Sequence, residues 1–219
     1  MQRNIANTVI GLVAFMALLL GLLVHKVLSP TLLTREQLSE NGLFVYDIPR
    51  RIADFQLTDQ DGQPFTPAWF KGRWSLVYFG YTYCPDICPV TMATLRQFQQ
   101  QLMKVDAAAA AQTQVAFISV DPQRDTPEKL KQYVRYFGAD YTGATSDYIN
   151  VFNLARQLNV AFGYQPQGSD GGYSVDHSGE VILINPEGHF HGFFKVPQDP
   201  GKMTLTFRSV LATWRTQIH

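Results

Sequence analysis

The chain has 219 residues, with 18 Lys and Arg set against 18 Asp and Glu for a formal net charge of zero. That balance, without a long basic run, leaves no electrostatic footprint for a nucleic-acid partner and excludes one. Only two cysteines are present, Cys84 and Cys88. Bridging neighbours this close would constrain the unfolded chain little, so the pair reads as chemical and not structural.

In chain order, the first feature is an apolar run. Ile5 to Val24 contains no charge, and about twenty such residues cross a hydrocarbon core of ~30 Å. A cleaved secretory signal would end at a small-residue site, and Val24-His25-Lys26-Val27-Leu28 offers none. The run is therefore expected to be an uncleaved transmembrane helix. Arg3 on one side and Lys26, Arg35, Arg50 and Arg51 on the other do not settle orientation by charge. A short amino-terminal tail that stays inside would put residues from about Ser29 onward in the periplasm or an equivalent compartment, with the helix in the inner membrane. The organisation read from the sequence is an anchor over 1–28, a linker over 29–48, and a single domain over 49–219.

Thr34-Arg35-Glu36-Gln37 has capping-box spacing and Gly42 marks a stop, which predicts a short helix. Ala53 to Thr58 alternates apolar and polar, and Asp61-Gly62 supplies a turn into Gln63 to Thr66, a leading hairpin. Trp74 to Tyr81 is almost continuously apolar and reads as a central strand covered on both faces. From Cys88, the row Met92, Leu95, Gln99 and Leu102 has helical spacing, ending near the run Ala107 to Ala111. Val115 to Val120 is a second buried strand. Thr126-Pro127 opens a helix that runs to about Phe137.

Asp147 to Leu158 predicts another helix, and Gln167 to Gly172 a loop leading into Tyr173 to Ser178. Val181 to Ile184 and His189 to Phe194 flank Asn185-Pro186-Glu187-Gly188, a type I turn between antiparallel strands. Gly201 to Gln217, with Met203, Phe207, Val210, Leu211 and Trp214 on one stripe, predicts a closing helix. This order matches an α/β fold with a mixed sheet flanked by helices, and a cysteine pair at the first strand-to-helix junction makes it thioredoxin-like.

With Asp86 as N-cap, Pro89 falls in the first turn of the helix and Cys88 meets its positive end, which favours thiolate there. Three residues separate the cysteines, where disulfide oxidoreductases of this architecture carry two, so the spacing favours holding a soft ion such as Cu(I) or Zn(II). Oxidation to a disulfide stays open. Of five histidines, His25 borders the anchor, His219 is terminal, and His189 and His191 alternate along one strand, where they could form a weaker second site. That leaves His177. Asp86 is read as a cap and Met92 as core, while Tyr81 and Tyr83 flank the site. Asp121 to Thr126 is explained by turns and capping.

Three blocks then carry a resemblance: Tyr78-Phe79-Gly80-Tyr81-Thr82-Tyr83-Cys84-Pro85-Asp86-Ile87-Cys88-Pro89, Ser119-Val120-Asp121-Pro122-Gln123-Arg124-Asp125-Thr126, and Asp176-His177-Ser178. In this order they resemble the Sco/SenC family, from about Pro49 to Ile218. The resemblance implies a membrane-anchored, thioredoxin-like copper protein that helps metallate the dinuclear copper site in cytochrome c oxidase subunit II. It implies Cys84, Cys88 and His177 as ligands of Cu(I) or Cu(II). The reading is a metallochaperone and not primarily an enzyme, served by an upstream copper donor and by a thiol reductant that reopens a redox-active Cys84–Cys88 disulfide. Two rivals use the same residues: a thiol-disulfide reductase that keeps oxidase cysteines reduced, and a copper or redox sensor.

Overall fold

A computed structural model describes residues 2–28, 32–167 and 172–217. The larger of two compact units is Leu33–Phe207, and the second joins the amino-terminal segment to the chain from Arg208 onward. An eight-stranded mixed sheet dominates the larger unit.

Two strands form its centre, β4 (Trp74–Gly80) and β5 (Thr113–Ser119), and every residue of both is buried. They run parallel, as expected of strands covered on both faces. β6 (Thr142–Thr145) continues the parallel set beside β5. On the far side of β4, β9 (Val181–Ile184) and β10 (His189–Phe194) pair antiparallel across the predicted turn, with Gly188 at φ +81 and its N–H on the Asn185 carbonyl at 2.8 Å. The leading hairpin is β2 (Leu57–Asp59) and β3 (Pro64–Phe65), shorter than its pattern suggested, with Gly62 in the left-handed region at its turn.

Helices cover the sheet. α2 (Arg35–Glu40) carries the predicted capping box. α3 (Ile87–Val105) buries Cys88, Met92, Leu95, Phe98 and Leu102, with Phe98 in the place the pattern assigned to Gln99, which stays half-buried. It stops at Val105 instead of running into the alanines. Asp106 accepts from the Ala109 N–H and restarts the chain as α4 (Ala107–Ala111). α5 (Pro127–Phe137) starts at Thr126, whose hydroxyl accepts from Lys129 N, with proline at the first helical position. α6 (Tyr148–Gln157) is capped by Asp147, and α7 (Pro200–Gln217) closes the chain. Phe207 of α7 packs edge-on against Trp74 and Phe98, with ring centroids 5.7 and 5.6 Å apart.

Three strands have no counterpart in the sequence reading, β6 and the two that follow. β1 (Leu43–Arg51) pairs with β10 at the sheet edge, so closely that a side chain at Gly192 would collide with the Phe44 carbonyl. β7 (Phe162–Gln167) pairs with β8 (Gly172–His177) in a separate two-stranded ribbon.

α1 (Gln2–Leu28) is helical over the apolar run. Among the described residues no helix is long and apolar enough to cross a membrane.

Candidate metal centre

β4 ends at Gly80, the following loop carries Cys84, and Cys88 is the second residue of α3. Cys84 is half-buried and Cys88 buried, and they are not bonded to each other. Gly80 makes the approach possible, since a Cβ there would lie 2.8 Å from the Cys88 sulfur and 3.0 Å from the Phe117 ring. His177, the last residue of β8, reaches in from the ribbon and sets Nε2 3.2 Å from Cys88 Sγ. The two sulfurs and an imidazole nitrogen all lie within 4.8 Å of one another.

The imidazole is oriented from behind. Nδ1 lies 3.0 Å from the Ser178 carbonyl, and because a carbonyl only accepts, Nδ1 carries the proton and Nε2 offers its lone pair to the sulfurs. Tyr78 and Tyr81 flank the ring edge-on, with centroids 5.9 and 6.0 Å away. Both tyrosines are buried, so they confine the ring and keep water from that side.

The helix start behaves differently from the sequence expectation. Asp86 occupies the N-cap position, but its side chain makes no capping bond. Cys84 Sγ instead receives the Cys88 N–H at 3.4 Å. A sulfur thus takes the place of the capping oxygen, and the charge follows it. The Cys84 pKa is lowered, first by the Cys88 thiol and further by backbone N–H groups at the helix start, whereas the Cys88 pKa is raised by the neighbouring Cys84 sulfur and by burial. Both directions favour negative charge on Cys84 over Cys88, the reverse of the assignment from helix position alone.

The cysteine loop is tied to the next β-to-α loop. The Asp125 carboxylate accepts from Thr82 N at 2.9 Å, Thr82 Oγ1 at 2.6 Å and Ser119 Oγ at 2.6 Å. Burial raises its pKa, and the Ser119 and Thr82 bonds draw it back down. Sequence reasoning assigned this segment only turns and caps. Its signals were two aspartates and an arginine in six residues after a buried strand, and its place as the second block of the family resemblance.

His189 and His191 stay apart from the centre. His189 pairs with Glu187 at 3.2 Å, and His191 packs edge-on to Trp74 at 5.0 Å. The side chain of His25, and His219 altogether, lie outside the described residues. Met92 is fully buried, and Tyr83 is exposed at the rim with its hydroxyl on Lys129 Nζ at 2.7 Å. Among the described residues, Cys84, Cys88 and His177 are the cluster able to hold a metal ion. Two sulfurs and a neutral imidazole form a soft donor set that suits copper, and the donors converge without rearranging the backbone.

Fold and site together define a thioredoxin-like domain with a soft-metal centre at its first strand-to-helix junction. Residues 48–212 match the SCO1/SenC family, and the chain belongs to it. The SCO2-like protein RC0895 of Rickettsia conorii is 31% identical over 211 residues, covering 94% of this chain and 99% of that one. The mitochondrial SCO2 homolog of Bos taurus is 34% identical over 163 residues, 74% of this chain, which spans 60% of the bovine protein. Among solved structures, yeast Sco1 with copper bound superposes with a TM-score of 0.68 at 31% identity, covering 75% of this chain and 90% of that one.

Proposed function

We propose that the chain is a copper metallochaperone, holding copper between Cys84, Cys88 and His177 and passing it to the dinuclear copper site of cytochrome c oxidase subunit II. The observation that carries this reading is the convergence of the two sulfurs and His177 Nε2 within 4.8 Å. The copper-bound yeast relative supports the choice of metal. Cys84 meets the incoming ion already as a thiolate, Cys88 gives up its proton on binding, and the fixed tautomer of His177 leaves Nε2 free to coordinate. Release then proceeds by ligand exchange, one thiolate at a time. An upstream copper donor loads the site. A thiol reductant opens the Cys84–Cys88 disulfide, because the oxidised pair has no thiolate to offer.

Anchoring by α1 is part of the same proposal. The helix carries 27 residues, and Val9 to Val24 expose apolar side chains around it. The domain would face the periplasm or an equivalent compartment from the inner membrane. A second reading, a thiol-disulfide reductase, is favoured by one observation, the half-buried Cys84 sulfur accepting the Cys88 N–H beside the buried, unbonded Cys88. The reduced full chain and its His177→Ala variant in detergent distinguish the two. The chaperone reading expects copper retention against a chelator to fall by about tenfold or more, and equal retention would leave the reductase.

A further inference from the structure

Among the described residues, the β7–β8 ribbon that brings His177 to the cysteines pairs with no other strand. A two-stranded ribbon has little stability of its own, so side-chain contacts must set where it lies. Its two strands are closed at the base where the Ser178 N–H meets the Ala161 carbonyl at 2.9 Å and Ser178 Oγ receives the Ala161 N–H at 3.0 Å, and the adjoining Val160 is tied to α6 by its N–H on the Ala155 carbonyl at 2.9 Å. Along β7, Phe162 and Tyr164 pack against Tyr148 of α6 with ring centroids 5.6 and 6.1 Å apart, which leaves β8 to be placed from elsewhere. The second point of attachment is the loop after β5. There the Tyr164 hydroxyl donates to the Val120 carbonyl at 2.8 Å and the Tyr173 hydroxyl to Asp121 Oδ1 at 2.7 Å. Asp121 is fully buried and ion-paired with Arg124. Arg124 in turn donates to the Tyr173 carbonyl at 3.0 Å and stacks 3.8 Å from the centre of the Tyr173 ring.

A buried carboxylate is costly unless its partners are well placed, and such groups are retained where they fix one arrangement. Tyr173 and His177 are four residues apart on β8 and share its face by alternation. The same loop holds the cysteines through Asp125 and Thr82. It therefore touches both halves of the metal centre. We propose that Asp121, Arg124 and Tyr173 form a latch that positions the ribbon and so presents the His177 imidazole to the two sulfurs. These are positioning residues, not ligands. The inference rests on copper binding at Cys84, Cys88 and His177.

The test uses the reduced full chain in detergent, loaded anaerobically with Cu(I), and follows copper release to a chelator. Arg124→Ala should release about tenfold faster, the usual scale for losing a group that orients a ligand, and Tyr173→Phe about threefold faster for one lost hydrogen bond. In a His177→Ala background neither change should add to the release rate, because the latch acts only through that ring. In the metal-free chain, β8 amides should exchange with deuterium faster in both variants, while β4 and β5 amides do not change. Wild-type release from Arg124→Ala, or equal acceleration with and without His177, overturns the latch. If Arg124→Ala loses its circular dichroism signal, Tyr173→Phe decides. A wild-type chain that takes up no copper defeats the functional reading instead, and the amide-exchange arm still judges the latch.

Discussion

The division of charge between Cys84 and Cys88 has a direct chemical consequence. A depressed pKa means that the Cys84 thiolate persists as pH falls below the ordinary thiol value, and the thiolate is the nucleophile. Alkylation of Cys84 in the metal-free protein, followed by mass spectrometry, should therefore hold its rate from about pH 8 to about pH 5, where an ordinary cysteine slows ~tenfold per unit. Cys88 should resist throughout. Gly80 supplies a second residue-level prediction. Gly80→Ala drives a methyl group against the Cys88 sulfur and the Phe117 ring, and overpacking of this kind costs about 1 to 3 kcal/mol. Its thermal midpoint should drop together with its copper affinity. Asp125→Asn replaces a carboxylate that accepts from three donors with a group that presents an N–H to one of them. The expected loss is about 1 to 3 kcal/mol for the unsatisfied group, measured by denaturant unfolding.

At the scale of elements, the Thr126 cap holds the start of α5, directly after Asp125. Thr126→Ala should destabilise by about 1 kcal/mol and, by loosening the helix start, speed amide exchange in the Asp121 to Asp125 loop. The elements legible in the sequence are those whose pattern is local. β4 and β5 are buried on both faces and read as unbroken apolar runs, and α5 carries its own cap and proline. β1 contains Pro49 and three charges in Leu43–Arg51, and it is a strand because β10 offers an edge to pair with, which no pattern in β1 records. β7 contains Gly163 and Pro166 and depends likewise on its partner β8. Of the metal-centre residues, the cysteine pair was legible from its own spacing, whereas His177 joined it through the family resemblance, because a single histidine in a loop is most often an ordinary residue. Which cysteine holds the charge was not, since that depends on Cys84 Sγ taking the cap that Asp86 was expected to make.

For the whole molecule, His191 links stability to pH. Burial, with Arg35 adding to it, lowers its pKa from 6.5 to about 4. The unfolded chain thus binds this proton more readily than the folded one. The stabilisation is complete above pH 6.5 and is lost as pH falls from 6.5 toward about 4, at a slope of at most about 1.4 kcal/mol per unit. Unfolding free energy measured across that window should show the slope, and His191→Gln should flatten it. The metal centre lies at the other end of β4, beyond Gly80, so this substitution should leave copper binding unchanged.

The account rests above all on three donors closing around one soft ion. Anaerobic titration of the reduced full chain with Cu(I), with ligation read by X-ray absorption at the copper edge, tests this most directly. The predicted result is stoichiometric uptake of one copper per chain by two sulfurs and one imidazole nitrogen, with the nitrogen lost in His177→Ala. Absence of stoichiometric uptake, or a copper bound without the imidazole in the wild-type chain, would contradict it.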